Sequence, residues 1–464
     1  MNAKSKTYLS TGEKIAYAAG DVATNFFFKF FQFFLFYYYT DSVGLSAGVV
    51  GTVFLVSRLL DMITDPAMGA IADRTKSKWG SYRPYMLFMA IPYGICGYIM
   101  FLNPDFSEQG KTVYVFVTYS LMMLAFTAIN IPYASLSGVM TPSTYERTSL
   151  SGYRFVGAFS GGLLLTILIR PLVSFLGAEN EAEGFRLTMA LFAIISVILF
   201  WCTFLFCKER VKPSLQQTPT LKKDFTSLIK NKPWQLLTVS YIVHGVYFTI
   251  NGAVTLHFFK YWIGDDGSAV LGPFDISTLF LTTGLLFSIL GAALPKFLSG
   301  HIDKRTLCIL AALVNCAIMT SFYFIKDESL MLLFVLQAIN GIAVGFIPVL
   351  QWSMYADTAD YGEYKNHHRN TGVIFSAALF GLKLGLALGG AFAGWILAAY
   401  GFEANTIQDE QSKMGILLCF SLIPAFLAFL KVIIMLFYPL RDTMMLQIEE
   451  GLIERKGELH APAQ

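Results

Sequence analysis

Val50-Gly51-Thr52-Val53-Phe54-Leu55-Val56-Ser57-Arg58-Leu59-Leu60-Asp61-Met62-Ile63-Thr64-Asp65 is apolar enough to cross a membrane, yet it carries three charges. On a helix Asp61 and Asp65 share one face, about 6 Å or roughly one turn apart along the axis, with Arg58 near the same stripe one turn earlier. Each carboxylate costs at least about 2.5–3.5 kcal/mol at the centre of a bilayer. Such charges persist where they line a wet cavity, meet a cation or pair with an opposite charge. One reading of the stretch is a structural ion pair between helices. The sharper one is a site for a cation or a proton.

The rest of the chain shares this character. Its 464 residues are 55% hydrophobic and 14% charged, with a mean hydropathy of +0.56. Soluble domains carry about 25% charged residues, so a soluble enzyme is excluded and a polytopic membrane protein is expected. No cleavable signal peptide is visible among the first twenty residues, where Lys4, Lys6, Glu13 and Lys14 leave no long apolar core. The cysteines Cys96, Cys202, Cys207, Cys308, Cys316 and Cys419 lie in or beside apolar runs without metal spacing, and are read as small buried hydrophobes. A net charge of +3 gives no sign of a nucleic-acid partner.

A span needs about 20 mostly apolar residues. Such runs lie near 24–40, 46–71, 85–104, 113–138, 153–172 and 185–207, then near 236–262, 273–297, 306–325, 330–355, 371–400 and 414–438. The expected fold is an all-α membrane protein with twelve transmembrane helices. Its first half is 1–207, its linker 208–233, its second half 234–440 and its tail 441–464. Basic residues collect in alternate loops: Arg74, Lys76, Lys78 and Arg83, then Lys208, Arg210, Lys222 and Lys223, then Lys304 and Arg305. Loops between them hold Asp105 and Glu108, then Glu181 and Glu183, Asp265 and Asp266, and Glu403, Asp409 and Glu410. By the positive-inside rule both termini are expected in the cytoplasm. Two six-span halves with a charged linker are the plan of alternating-access transporters.

The segment Asp61-Met-Ile-Thr-Asp65-Pro66-Ala-Met-Gly69-Ala-Ile-Ala-Asp73-Arg74-Thr-Lys-Ser-Lys78-Trp79-Gly80-Ser-Tyr-Arg83-Pro84 resembles the melibiose-permease-type symporters. These form the glycoside–pentoside–hexuronide:cation family of the major facilitator superfamily. Tyr37-Tyr-Tyr-Thr-Asp41, Asn130-Ile-Pro132-Tyr, the region of Arg154, Ala356-Asp357-Thr-Ala-Asp360-Tyr361-Gly362-Glu363-Tyr and Gly381-Leu-Lys383-Leu-Gly385 agree, in order and spacing. The likeness runs from about Gly12 to Asp442.

What the resemblance implies is a secondary transporter importing a glycoside or related sugar, a pentoside, xyloside or hexuronide, together with Na+ or H+. In the family two span-2 acids coordinate the cation, helped by a polar residue before the second acid and a threonine in span 4. Here those positions are Asp61, Asp65, Thr64 and Thr127. Two close carboxylates would equally hold a proton. Family sugar sites use acids in spans 1 and 4 and an arginine in span 5, matched here by Asn25, Asn130 and Arg154. Both acids are thus expected as amides, which keep a donor and an acceptor for hydroxyls but lose charge assistance. Lys383 falls where the family has a lysine close to both sites. It is expected to bind sugar with Asn25, Asn130 and Arg154 and, with Arg58, to couple the two sites.

Asp73, Arg74 and Arg83 after span 2, and Asp357, Asp360 and Glu363 after span 10, are expected as gate latches on the cytoplasmic side. His244 reads equally as an interior hydrogen-bonded residue and as a proton carrier. No cofactor is expected, and the resemblance implies a monomer in a bacterial inner membrane. A lipid or amphiphile transporter of the same fold would want an apolar path rather than Asn25, Asn130 and Arg154. A membrane-embedded enzyme would need a catalytic cluster with metal-type spacing, which the acids from Asp357 to Glu363 lack.

Overall fold

The computed structural model describes residues 9–141, 144–178, 180–211, 228–298, 301–325, 329–366 and 371–460. Most of the linker, with Lys222 and Lys223, lies outside them. Among the described residues the chain is helical. The first part holds α1 (Thr11–Phe33), α2 (Ala47–Arg74), α3 (Arg83–Phe88), α4 (Ala90–Ile99), α5 (Glu108–Met140), α6 (Thr144–Gly177) and α7 (Glu181–Phe206). Then come α8 (Lys232–His257), α9 (Ile276–Ala293), α10 (Lys304–Phe324), α11 (Leu330–Asn366), α12 (Thr371–Ala399), α13 (Glu410–Phe420), α14 (Leu422–Leu436) and α15 (Asp442–His460). Side-chain caps mark several starts. Ser10, Ser107, Asn180 and Asp303 each accept a hydrogen bond from an orphan N–H of the first turn, at 2.9–3.3 Å.

Ten helices among the described residues are long and apolar enough to cross a membrane. Two of the expected spans fall outside that set. The first belongs to α1, which starts at Thr11 rather than near residue 24 and carries Glu13, Lys14, Asp21 and Lys29. The third is interrupted at Met89, between α3 and α4.

Side-chain polarity is inverted relative to a soluble protein. On α2, Ser57 and Asp61 are 1% and 2% exposed, whereas Ile63 is 71% exposed. Only an apolar surround makes that arrangement favourable.

Packing groups the chain into two compact units. The first comprises residues 1–216, 252–282 and 391–415. In it α1 packs on α6 and α7, and α2 packs on α5. The approach of α6 to α1 needs glycine, since a Cβ at Gly161 would lie 2.7 Å from the Val22 carbonyl oxygen. The second unit comprises 217–251, 283–390 and 416–464, with α10 against α11 and α14, and α15 against α11. There α8 and α12 meet backbone to backbone, a Cβ at Gly245 lying 3.0 Å from Gly385 Cα. Small residues at such crossings are how membrane helices gain contact without a hydrophobic drive.

Candidate cation and sugar site

Within the first unit α5 carries Thr127 to the acidic face of α2. Its Oγ1 lies 2.5 Å from Asp61 Oδ1 and 2.8 Å from Asp65 Oδ1. A hydroxyl has one proton and can donate to only one of these oxygens. The two acids thus share one hydroxyl across the packing of α5 on α2. Asp61 and Thr127 are buried and Asp65 is half-buried. Pro66 has no N–H to donate to the Met62 carbonyl four residues earlier. Thr64 Oγ1 turns back to its own helix and donates to the Asp61 carbonyl at 3.1 Å. Arg58 hydrogen-bonds Tyr119 and lies in the field of both acids. Two carboxylates and a hydroxyl are a hard, oxygen-only donor set. Thr127→Val is expected to weaken cation binding about fivefold, from the loss of a hydrogen bond of about 1 kcal/mol. Cation activation of transport by the purified variant measures this.

A second polar cluster, on α1, α5 and α6, holds Arg154 beside an acid that the expected sugar site does not include. Asp21, 5% exposed, accepts from Arg154 Nε at 2.8 Å and from the Tyr133 hydroxyl at 2.9 Å, both on Oδ2. Tyr133 stacks on Tyr17 with ring centroids 4.7 Å apart, and the Arg154 guanidinium stands 5.7 Å from the Tyr133 centroid. Span 1 therefore does supply a carboxylate. It comes from Asp21, one turn before Asn25 on the same face. Asn25 Nδ2 donates to the Asp21 backbone carbonyl at 2.9 Å, and Asn130 Oδ1 accepts from Thr24 Oγ1 at 2.6 Å. Counting the first span from residue 24 hides Asp21. The signal for it is a lone acid after four small or aromatic residues, Tyr17-Ala-Ala-Gly20. The Arg154 side chain keeps 41% of its surface exposed beside an Asp21 side chain with 7%, so its guanidinium can still meet a ligand.

The other expected residues are distributed as follows. Lys383 is half-buried on α12, in the second unit. Asp73 accepts from the Tyr82 hydroxyl at 2.8 Å, and Arg74 is exposed. Arg83 donates to the Phe204 carbonyl at 2.7 Å and lies 4.9 Å from the Phe204 ring. The loop after α2 closes on Glu209, whose carboxylate accepts from the N–H groups of Ser81, Tyr82 and Arg83 at 2.7–2.9 Å. Gly80, at φ +112°, leaves that carboxylate room. In the second unit Asp357 pairs with Lys304 at 2.8 Å, while Asp360 and Glu363 are half-buried.

A denser network lies at the other helix ends of the first unit, where the sequence points to no latch. Asp41 accepts from Lys260 at 2.7 Å, Thr40 at 2.7 Å and His257 at 3.2 Å, and also from the Tyr261 hydroxyl. Lys260 also donates to Asn405 Oδ1, and Asn405 Nδ2 to the Asp41 carbonyl, at 2.7 and 2.6 Å. Arg170 bridges Glu181 at 2.6 Å and Asp275 at 3.1 Å. Beside these pairs opens a cavity of about 840 Å³, lined in part by Tyr37, Arg170, Lys260 and Asp265. Burial and the neighbouring Asp275 charge push the Asp265 carboxyl above its ordinary range. The sequence singles out Tyr37 to Asp41 as a motif but gives it no role.

Residues 16–442 match the model of the family described as MFS/sugar transport protein. The chain is 36% identical over 427 residues to the inner membrane symporter YicJ of Escherichia coli (strain K12), spanning 92% of this chain and 91% of YicJ. It is 35% identical to the putative glycoside/cation symporter YagG of the same strain, over 97% and 96% of the two chains. Identity to the isoprimeverose transporter of Lactiplantibacillus pentosus is 31%, over 93% and 89%. Among solved structures the nucleoside transporter NupG superposes with a TM-score of 0.67 at 14% identity, covering 93% of this chain and all of NupG, a likeness of fold alone. Inverted side-chain polarity, paired acids on a membrane helix and a match along nearly the whole length agree: this chain belongs to the MFS/sugar transport protein family, whose members named above are transporters and not enzymes.

Proposed function

We propose that the chain imports a neutral glycoside of the pentoside or xyloside kind, in symport with Na+ or H+. The observation that carries the reading is the Thr127 hydroxyl between two buried-face carboxylates of a membrane helix. In this reading Asp61, Asp65 and Thr127, with Thr64, hold the coupling ion. Asp21, Arg154 and Asn130, with Asn25 beside them, bind the sugar hydroxyls, and Tyr133 and Tyr17 offer aromatic faces. A carboxylate and an arginine both make charge-assisted hydrogen bonds to hydroxyls. Asp21 also repels the carboxylate of a hexuronide, which favours the uncharged class. The names of YagG and the isoprimeverose transporter support a glycoside.

The same reading has twelve spans, α1 and the α3–α4 pair included, with both termini in the cytoplasm of a bacterial inner membrane and the monomer as working unit. Alternating access moves the halves 1–207 and 234–440, with Lys383 and Arg58 coupling ion to sugar. Asp73, Arg74, Arg83, Asp357, Asp360 and Glu363 stabilise the cytoplasmic side. Asp41 is the hub of a latch on the outer side. Asp41→Asn should loosen that latch by about 1.5–3 kcal/mol, the worth of hydrogen bonds to a charged group. That is about a ten- to hundredfold shift toward the outward-open form. Alkylation of a cysteine at Ala253, 3% exposed, should rise accordingly on a background without native cysteines.

Sugar-evoked current in proteoliposomes tests the whole reading, across neutral glycosides, pentosides and hexuronides, with and without Na+ and at several pH values. A current with one sugar class is expected, and its ion dependence names the coupling ion. Silence across the panel with folded protein would overturn symport of a sugar.

A further inference from the structure

The second unit buries a basic pocket that the transport reading does not use. Lys431, on α14, is 2% exposed. Its Nζ donates to Gln351 Oε1 of α11 at 3.4 Å, a long contact with a neutral group. The titratable groups facing it are Cys308 from α10 and His244 and Tyr247 from α8. Among the described residues no carboxylate forms an ion pair with it. His244, 6% exposed, stacks between Tyr241 and Tyr247 with centroids 6.3 and 6.0 Å away. Asn315 of α10 donates Nδ2 to Asn340 Oδ1 at 2.7 Å, and the Tyr247 hydroxyl donates to the same oxygen at 3.3 Å. Asn315 Oδ1, on a side chain 1% exposed, is left without a partner.

These groups surround a void of about 10 Å³, lined by His244, Tyr247, Asn315 and Lys431 with Ala312, Ile347, Leu427 and Ala428. That is the lower edge of the space one water needs, and an orphan carbonyl is what such a water satisfies. Two nitrogen bases line the void and, among the described residues, no carboxylate does. Charging both would set two cations in one apolar pocket, an arrangement that burial strongly disfavours.

We propose that the His244–Asn315–Lys431 pocket is a proton-binding site, holding one water and a single exchangeable proton. The proton arrives on water as hydronium and leaves a water molecule behind. It binds the lone pair of Lys431 Nζ while the ring of His244 stays neutral, and the new N–H reaches Asn315 Oδ1 through the enclosed water. The site is chemically unlike the Asp61–Asp65 pair: neutral nitrogen bases are poor ligands for a hard cation and the protonated site repels one, and it shares no residue with that pair. A chain carrying both binds an ion on carboxylates and a proton on amines. The site itself does not depend on the symport reading, whereas any part for it in the transport cycle does.

The test is a difference titration of purified full-length protein in weak buffer, following proton uptake with an indicator dye. Brought from about pH 9 to about pH 6, wild type is expected to take up about one proton per chain more than Lys431→Met, in a range where a solvated lysine takes up none. Methionine fills a similar volume without charge, and such apolar replacements of buried ions are commonly tolerated. Lys431→Arg distinguishes proton exchange from a fixed structural charge. Arginine stays charged throughout this range, so it should match methionine in the titration. Equal uptake by wild type and Lys431→Met overturns the proposal, whether or not a sugar evokes current. Retained excess uptake with no sugar-evoked current would instead overturn the symport reading and leave the pocket standing.

Discussion

Asp61→Asn and Asp65→Asn are each expected to abolish ion-driven accumulation of sugar while sparing sugar exchange between equal concentrations. Removing one member of a buried charged set costs about 3–5 kcal/mol. At about 1.4 kcal/mol per tenfold, that is roughly two to four orders of magnitude in ion affinity. Linkage sets the form of the result. If the ion raises sugar affinity, the sugar raises ion affinity by the same factor, so both variants should lose the ion dependence of sugar binding and not only the rate. Isothermal binding of the sugar with and without the ion reads this directly. Normal accumulation by both variants would mean that the coupling ion binds elsewhere and that the two acids are structural partners of Arg58.

Asp21 and Arg154 carry the second large effect. Either single change, Asp21→Asn or Arg154→Gln, breaks an ion pair of 2.8 Å on a side chain that is almost fully buried. The expected loss of sugar affinity is about ten- to hundredfold, since a hydrogen bond to a charged group contributes about 1.5–3 kcal/mol. The double variant separates binding from scaffolding. If the pair only ties α1 to α6, removing both charges should restore much of the stability that either single change loses, and transport with it. If the pair binds sugar, thermal stability recovers in the double variant and sugar affinity does not. Melting temperature and sugar affinity measured on the same three proteins decide between these.

Much of this is legible in the chain. Period and hydropathy mark the helices, and loop charge suggests their orientation. The acids at 61 and 65 announce themselves, because a carboxylate in an apolar run has few alternatives to a functional role. What sequence reasoning misses has a common cause. Asp21, Asp41, Lys260 and Lys431 sit at or within apolar runs, where each merges into a span boundary or reads as an isolated charge. Counting from residue 24 hides the acid of α1, although the helix starts at Thr11. Lys431 stands in plain view inside Phe429-Leu-Lys-Val432, but no partner for it is visible along the chain.

Local chemistry by itself thus determined that the chain lives in a membrane, roughly where its helices run, and that Asp61 and Asp65 share a face four residues apart. Those properties depend on neighbours along one helix. Thr127 is named beside the acids by the resemblance, but its oxygen meets both of them only because α5 packs on α2, across 62 and 66 positions of sequence. Tertiary structure also decided that Arg154 is matched by Asp21 rather than Asn25, and that Lys431 faces His244 and Asn315 with no anion among the described residues. Helix packing brings such residues together, through contacts between small side chains and backbone whose pairing no single-helix pattern encodes.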